Sequence, residues 1–152
     1  MIKFKSGPMD HDRSLQTLNS FLRGELAAVE AYHRALAGLE HPEPRDELSA
    51  CLASHERRVT RLRRRILDVG GVPAEGSAPS APFARPAQVG AAPAGDDAIS
   101  VLEEGEDRVL EQYLDDVCKL DRDSRRIVAR EILPEQVRTH DSLSDMKLRE
   151  VG

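Results

Sequence analysis

The chain of 152 residues is long enough to form one domain with a buried core. It is 39% hydrophobic but only 3% aromatic, with no Trp, and its many Ala, Leu, Arg and Glu residues favour helices over strands. The net charge of −5 gives no reason to expect a nucleic-acid partner. No apolar run is long enough for a membrane helix, and the first residues lack the apolar core of a secretory signal. We therefore expect an all-α protein in the cytoplasm, without membrane association.

Apolar residues spaced three and four apart predict four helices, at about residues 12–39, 45–69, 97–120 and 124–149. We expect these helices to form a bundle over residues 11–152, preceded by a flexible N-terminal arm at residues 1–10. Residues 71–95 are mostly Ala, Pro and Gly, which predicts an irregular crossover. Pro134 is expected to kink the fourth helix because it removes a backbone donor.

The connection lengths predict the topology of the bundle. Short links make the first two helices one antiparallel hairpin and the last two another. The crossover is long enough to return along the whole bundle, which is typical of the ferritin-like four-helix arrangement. The alternative is an up-down-up-down bundle with a loose middle connection.

One ionisable residue interrupts the apolar face near the middle of each predicted helix: Glu25, His55, Glu106 and His140. Burying such a charge costs several kcal/mol unless it is paired or coordinates a cation. Carboxylates and imidazoles from facing helices form the metal sites of bundles, and they suit Fe, Mn or Zn. We therefore predict a metal site with these four residues as ligands. A metal-free polar network that fixes the register of the helices is the open alternative.

Four further residues flank this predicted site. Glu56 and Asp141 directly follow the two His residues and are candidates for additional ligands or for orienting the imidazoles, or else belong to a solvated helix flank. Tyr32 and Tyr113 lie two turns beyond Glu25 and Glu106 on the same helix face. They are candidates to hydrogen-bond a site carboxylate, or else are core residues satisfied locally.

Six Arg residues lie between positions 56 and 65, a pattern that also occurs in nucleic-acid-binding patches. Residues 96–123 hold eleven Asp or Glu residues against three basic ones. We expect this acidic third helix to pair with the basic second helix, so nucleic acid is not an expected partner.

A phrase repeated eighty-one residues apart links the first and third helices: "GELAAVEAY" at 24–32 and "GEDRVLEQY" at 105–113. It resembles the rubrerythrin branch of the ferritin-like superfamily, in which these helices carry Glu followed seven residues later by Tyr. The chain is also similar to a bacterial family of single-domain ferritin-like proteins with no assigned activity. The resemblance implies that Glu25 and Glu106 are carboxylate ligands of a di-iron site with a redox or metal-handling role.

The same family carries Glu-x-x-His on its second and fourth helices, and here the sequence departs from it. With Glu56 or Asp141 at the Glu position, the His position holds Val59 or Ser144, neither of which is a metal ligand. The departure implies a second interpretation, a non-catalytic structural or stress-associated interaction module with a degenerate metal site. Because ferritin-like folds often pair through exposed helix faces, a homodimer is a further expectation; a protein partner is not identified.

Overall fold

The computed structural model describes residues 8–77, Phe83 and residues 96–151. The first three bundle helices are α1 (Pro8–Ala37), α2 (Pro42–Asp68) and α3 (Asp96–Asp116). A 3₁₀ turn at Val117–Lys119 follows α3. The fourth bundle helix consists of α4 (Arg122–Ile127), a π-helical segment (Val128–Ile132) and α5 (Leu133–Val151). These described parts contain no strand, and the predicted all-α class is confirmed.

The helices begin and end within a few residues of the predicted positions. Helix α1 begins at Pro8, inside the predicted N-terminal arm, because a proline in the first turn needs no backbone donor. The rest of that arm, residues 1–7, lies outside the described residues. So do residues 78–82 and 84–95 of the predicted crossover. Helix α2 ends as the sequence predicts: Gly70 has a φ of +83°, and the amide of Gly71 donates to the carbonyl of Ile66.

The order of packing and the helix directions define the topology. Helix α1 packs against α2 and α3, and α2 packs against α1 and α5. Tyr32 on α1 reaches Glu106 on α3, whereas Tyr113 on α3 reaches Glu25 on α1, so these two helices are antiparallel. In an up-down-up-down bundle the first and third helices would be parallel. The ferritin-like topology is therefore the observed one, and the up-down-up-down alternative is wrong.

The fourth bundle helix differs from its prediction in the face that it buries. A π-helical segment (Val128–Ile132) ends two residues before Pro134, where the sequence predicts a kink. The buried residues of this helix follow one continuous spacing of three and four residues through the π-helical segment: Val128, Ile132, Gln136, Thr139 and Leu143. The buried face therefore passes through Thr139 and not through the predicted His140. Val137 is 42% exposed, while the preceding residue, Gln136, is fully buried.

Three arginines of α2 contact carboxylates of the fourth bundle helix or of Asp121, which caps its start, whereas Arg58 contacts Glu25 on α1. Arg61 donates two hydrogen bonds to Glu131, at 3.2 and 3.0 Å, and Arg65 contacts Asp121 at 3.3 Å. The expected pairing with acidic α3 is wrong because α2 packs mainly against α1 and α5. None of the described helices combines the length and the apolar character that crossing a membrane requires.

Candidate functional site

The repeated phrase forms a reciprocal pair of hydrogen bonds in the centre of the bundle. The Tyr32 hydroxyl donates to Glu106 Oε1 at 2.6 Å, and the Tyr113 hydroxyl donates to Glu25 Oε1 at 2.6 Å. All four side chains are withdrawn from solvent. Each Glu thus accepts a hydrogen bond from the Tyr of the other copy of the phrase, because α1 and α3 are antiparallel.

The imidazole of His55 on α2 bridges the two carboxylates. Its Nδ1 lies 2.6 Å from Glu25 Oε2 and its Nε2 lies 2.7 Å from Glu106 Oε1. A neutral imidazole has only one N–H, whereas here both ring nitrogens face a carboxylate oxygen. The geometry therefore favours the doubly protonated, positively charged ring between two ionised carboxylates.

A second cation lies beside His55 and one helical turn further along α2. The Arg58 side chain is 2% exposed, and its Nη1 donates to Glu25 Oε1 at 3.1 Å. The same nitrogen also donates to the Gln136 side-chain oxygen, while Nη2 donates to Thr139 Oγ1 at 3.0 Å and to Ser54 Oγ at 3.2 Å. The guanidinium thus joins α1, α2 and α5 in the interior.

Helix α5 contributes two neutral polar residues. The Gln136 amide donates to Glu106 Oε2 at 2.8 Å, and the Thr139 hydroxyl lies 2.9 Å from the same oxygen. Together with the bonds from tyrosine, His55 and Arg58, these contacts give every carboxylate oxygen of Glu25 and Glu106 a donor. We call the cluster of these eight buried residues the centre: Glu25, Tyr32, His55, Arg58, Glu106, Tyr113, Gln136 and Thr139. With a charged imidazole, the carboxylates of Glu25 and Glu106 balance the cations of His55 and Arg58, so the centre carries no net charge.

The pKa shifts have physical causes in this arrangement. Burial alone would raise the pKa of Glu25, but the charges of Arg58 and His55 outweigh it and lower that pKa. The same balance, with His55 as the main charge, lowers the pKa of Glu106. Burial alone would lower the pKa of His55, yet the two carboxylates raise it. Burial and the adjacent carboxylates hold the pKa values of Tyr32 and Tyr113 well above the ordinary range.

Phe83 covers the centre from the crossover. Its ring meets the Tyr32 ring at a centroid distance of 6.2 Å and the His55 ring edge-on at 6.0 Å. It occupies the space that Gly105 leaves open, since a Cβ at that position would stand 2.2 Å from the nearest ring carbon of Phe83. The glycine before Glu106 in the repeated phrase is therefore required by close packing.

Of the predicted site residues, the structure brings together Glu25, His55, Glu106, Tyr32 and Tyr113. It does not bring the other three predicted residues to the centre.

The predicted ligand His140 instead has a side chain 24% exposed and contacts Asp107 on α3 at 2.6 Å, with Asp141 at 3.4 Å. Glu56 and Asp141 both lie on exposed helix faces. His140 and Asp141 stay outside the centre because the buried face of this helix passes through Gln136, Thr139 and Leu143. The two residues follow Thr139 by about 100° and 200° around the helix.

Sequence reasoning missed Arg58, Gln136 and Thr139, although the sequence contains a signal for them. The eighty-one-residue offset that relates Glu25 to Glu106 also relates His55 to Gln136, and Arg58 to Thr139. Extending the repeat from the first helix to the second would have identified both positions on the fourth bundle helix. It would also have selected Arg58 from among the six arginines of its segment.

The residues of the centre do not fit the metal that the resemblance implies. A two-metal bundle site takes one Glu from each of two helices and Glu-x-x-His from each of the others. At the latter positions this chain has His55 with Arg58, and Gln136 with Thr139. The His55 nitrogens contact carboxylate oxygens directly, with no room for a cation at about 2.0–2.2 Å from each. No group of three or more His, Cys, Asp or Glu residues in the described ranges is arranged to hold a metal ion.

Comparisons with known proteins identify the architecture. No protein-family model matches the chain, and no curated protein sequence matches it. Among solved structures, it is similar to a protein described as ferritin like, diiron-carboxylate, from Bacillus anthracis str. Ames, with a TM-score of 0.75. The two sequences are 14% identical, and the match covers 93% of this chain and 99% of the other. The chain therefore has the ferritin-like fold.

Proposed function

We propose that this chain is a ferritin-like bundle whose centre works without a metal, and that it acts as a non-catalytic structural or interaction module. The observation that carries the proposal is the buried guanidinium of Arg58, 3.1 Å from Glu25 and hydrogen-bonded to Gln136 and Thr139. Arginine stays protonated and has no lone pair for a metal. A cation of the protein therefore stands where a ligand would be needed.

The hydrogen bonds of His55 support the same proposal. Both ring nitrogens lie within hydrogen-bond distance of a carboxylate oxygen, and in the charged ring that this geometry favours neither nitrogen presents a lone pair to a metal. Buried ionic groups of this kind are best attested in fixing the register of helices. Here the network joins all four helices of the bundle. Its residues are Glu25 on α1, His55 and Arg58 on α2, Glu106 on α3, and Gln136 and Thr139 on α5.

A second candidate function is metal binding by iron, manganese or zinc, with a redox or metal-handling role. It is favoured by the similarity to a ferritin-like, diiron-carboxylate protein and by the convergence of Glu25, His55 and Glu106. Binding would require Arg58 to leave the centre and His55 to lose its protons. Because each change removes charge-assisted hydrogen bonds from buried carboxylates, this candidate ranks second.

The metal content of the purified protein separates the two candidates. The wild-type chain is incubated with Fe²⁺, Mn²⁺ or Zn²⁺, desalted and analysed by elemental mass spectrometry beside Glu25→Gln and the control His140→Ala, which lies outside the centre. We expect well under one equivalent of metal in every case, with no dependence on Glu25. One or more equivalents that Glu25→Gln loses and His140→Ala retains would overturn the proposal and establish the second candidate.

We further propose a cytoplasmic location and a homodimer formed through exposed helix faces. The dimer is supported only by the frequent pairing of ferritin-like folds through exposed helix faces. Analytical ultracentrifugation of the full chain tests it. A single species of about 17 kDa at every concentration would contradict it, since the monomer is 16.8 kDa.

A further inference from the structure

A cavity of about 390 Å³ lies at the end of the bundle where α1 and α4 begin and α2 ends. The 3₁₀ turn that follows α3 completes its wall. Val69 and the buried Leu120 provide an apolar part of the lining. The volume is in the range of pockets that hold small molecules. None of the eight residues of the centre lines this cavity, so it is a separate feature of the fold.

The lining of the cavity has an excess of positive charge. Arg or Lys occupies four positions and Asp occupies two: Arg13, Lys119, Arg122, Arg125, Asp10 and Asp121. The Lys119 ammonium is paired with Asp116 at 2.9 Å. Within the described ranges, the side chains of Arg13 and Arg122 have no ion-pair or hydrogen-bond partner. Because the whole chain has a net charge of −5, this local excess does not follow from the composition.

The Asp121 carboxylate is already occupied by other groups. It accepts hydrogen bonds from Ser14 Oγ at 2.8 Å, from the Ser124 amide at 2.8 Å and from Ser124 Oγ at 2.6 Å. Burial alone would raise the pKa of Asp121, but the bonds from Ser124 and Ser14 and the charge of Arg65 lower that pKa to about 2. Its ion-pair partner is Arg65, which does not line the cavity. Asp121 therefore leaves the charges of the cavity arginines uncompensated.

The backbone of the turn holds Arg125 in the wall of the cavity. Its Nη2 donates to the carbonyls of Cys118 and Leu120, both at 3.2 Å. Its Nε and Nη1 have no hydrogen-bond partner in the part of the chain that the structure describes. A guanidinium fixed in this way has lost conformational freedom before a ligand arrives, which lowers the entropic cost of binding.

From these observations we infer that the cavity is a binding site for a small phosphoryl dianion, held by Arg13, Arg122 and Arg125. A phosphate group carries about two negative charges at pH 8 and has three acceptor oxygens. Guanidinium groups match those oxygens in charge and geometry. The dianion is either free phosphate or the phosphate of a small ester, whose carbon part would contact Val69 and Leu120. The site goes beyond the function proposed for the centre and does not depend on it.

Isothermal titration calorimetry of the full chain at pH 8 and low salt tests this site with two probes, inorganic phosphate and phenyl phosphate. We expect one equivalent to bind with submillimolar affinity that weakens as salt is added. Phenyl phosphate binding about tenfold more tightly than inorganic phosphate would assign the site to an ester, and equal affinities would assign it to free phosphate. The absence of saturable binding of either probe in the millimolar range would overturn the inference.

The double variant Arg13→Gln, Arg122→Gln removes two exposed cations from the cavity. The affinity should fall by about tenfold or more, because charge-assisted hydrogen bonds are lost. The matched control, Arg63→Gln with Arg64→Gln, removes the same charge from exposed positions of α2 that do not line the cavity. It should keep the wild-type affinity within about twofold. Equal weakening in the two double variants would show a general effect of net charge and overturn the site.

The thiol of Cys118 reports on the same cavity independently, because it is exposed and belongs to the lining. Cys51 is buried, and burial raises the pKa of its thiol to about 11, so the neutral reagent iodoacetamide should label Cys118 alone. Saturating phenyl phosphate should slow this labelling, followed by mass spectrometry, in the wild type and in the Arg63, Arg64 control. A labelling rate that bound phenyl phosphate leaves unchanged in the wild type would place the anion elsewhere and overturn the inference.

Discussion

The Arg58 guanidinium donates to the Glu25 carboxylate at 3.1 Å, and both side chains are withdrawn from solvent. This contact joins α2 to α1 in the centre of the bundle. A buried carboxylate needs a cation beside it, and here the protein provides that cation from its own chain.

Removing the guanidinium should strongly destabilise the fold. Arg58→Met keeps most of the side-chain volume but leaves Glu25 without its nearest permanent charge. Breaking a buried ion pair in this way costs about 3–5 kcal/mol. The free energy of unfolding in urea at pH 7 measures the loss.

Arg61→Met is the matched control, because Arg61 lies on the same helix and is paired with Glu131 at a partly exposed position. It should lower the free energy of unfolding by about 1 kcal/mol or less. Equal losses in the two variants would contradict a central role for Arg58.

Stability should depend on pH through His55. Its folded pKa is raised, so its contribution is fully present below the unfolded value of about 6.5 and is lost as the pH rises through the folded value. The folded pKa values of Glu25 and Glu106 are lowered. Their contribution is present above the unfolded value of about 4.3 and is lost as the pH falls through the folded values.

The three residues together stabilise the fold most between about pH 4.3 and 6.5. Urea unfolding of the wild type and of His55→Gln should therefore give a free-energy difference that shrinks from pH 6 towards pH 9. His140→Gln provides a partly exposed comparison with a smaller effect. A difference between wild type and His55→Gln that stays constant over this range would show that His55 is neutral.

The two tyrosines should remain protonated until the protein unfolds. Tyr32 and Tyr113 are the only Tyr residues, and the chain has no Trp, so absorbance near 295 nm reports these two alone. Their pKa values are raised well above the ordinary value by burial and by the adjacent carboxylates. In an alkaline titration, tyrosinate absorbance and loss of helical circular dichroism should appear together. Tyrosinate that forms while helicity is intact would contradict the buried pairs.

Loss of either tyrosine hydroxyl removes a hydrogen bond to a charged acceptor. Tyr32→Phe and Tyr113→Phe should each lower the free energy of unfolding by about 1.5–3 kcal/mol. Because the two pairs are related by the repeat, their effects should be similar. A loss below about 0.5 kcal/mol in both variants would contradict the hydrogen bonds to Glu25 and Glu106.

Much of this arrangement could be predicted from the sequence, because it depends on local patterns. The apolar spacing predicted the four helices, and the interruption of that spacing identified Glu25, His55 and Glu106. Arg58 could not be identified in the same way, because its burial depends on a carboxylate supplied by another helix. The inward residues of α5, Gln136 and Thr139, were missed because they are polar and do not appear in an apolar spacing. Their burial depends on hydrogen bonds to Arg58 and Glu106 on other helices.

The contact between Phe83 and Gly105 predicts a coupled pair of substitutions. Gly105→Ala adds a Cβ that would meet the Phe83 ring at 2.2 Å, so it should destabilise the fold by about 1–3 kcal/mol despite the better helix propensity of Ala. With Phe83→Ala already present, the same change should be neutral or stabilising. A double-mutant cycle in urea measures this coupling.

Gly76→Ala is the control for that cycle, since an added Cβ there meets nothing within 4 Å. It should show no coupling to Phe83→Ala. Additive effects of Gly105→Ala and Phe83→Ala would contradict the observed packing of Phe83 over the centre.

The metal-free state of the centre is tested most directly by a crystal structure of the wild-type chain grown with excess Fe²⁺, with anomalous diffraction recorded at the iron edge. We expect no anomalous peak between Glu25 and Glu106, and continuous density for the Arg58 guanidinium beside Glu25. An iron peak within about 2.0–2.2 Å of these carboxylates, with Arg58 displaced from the centre, would contradict it.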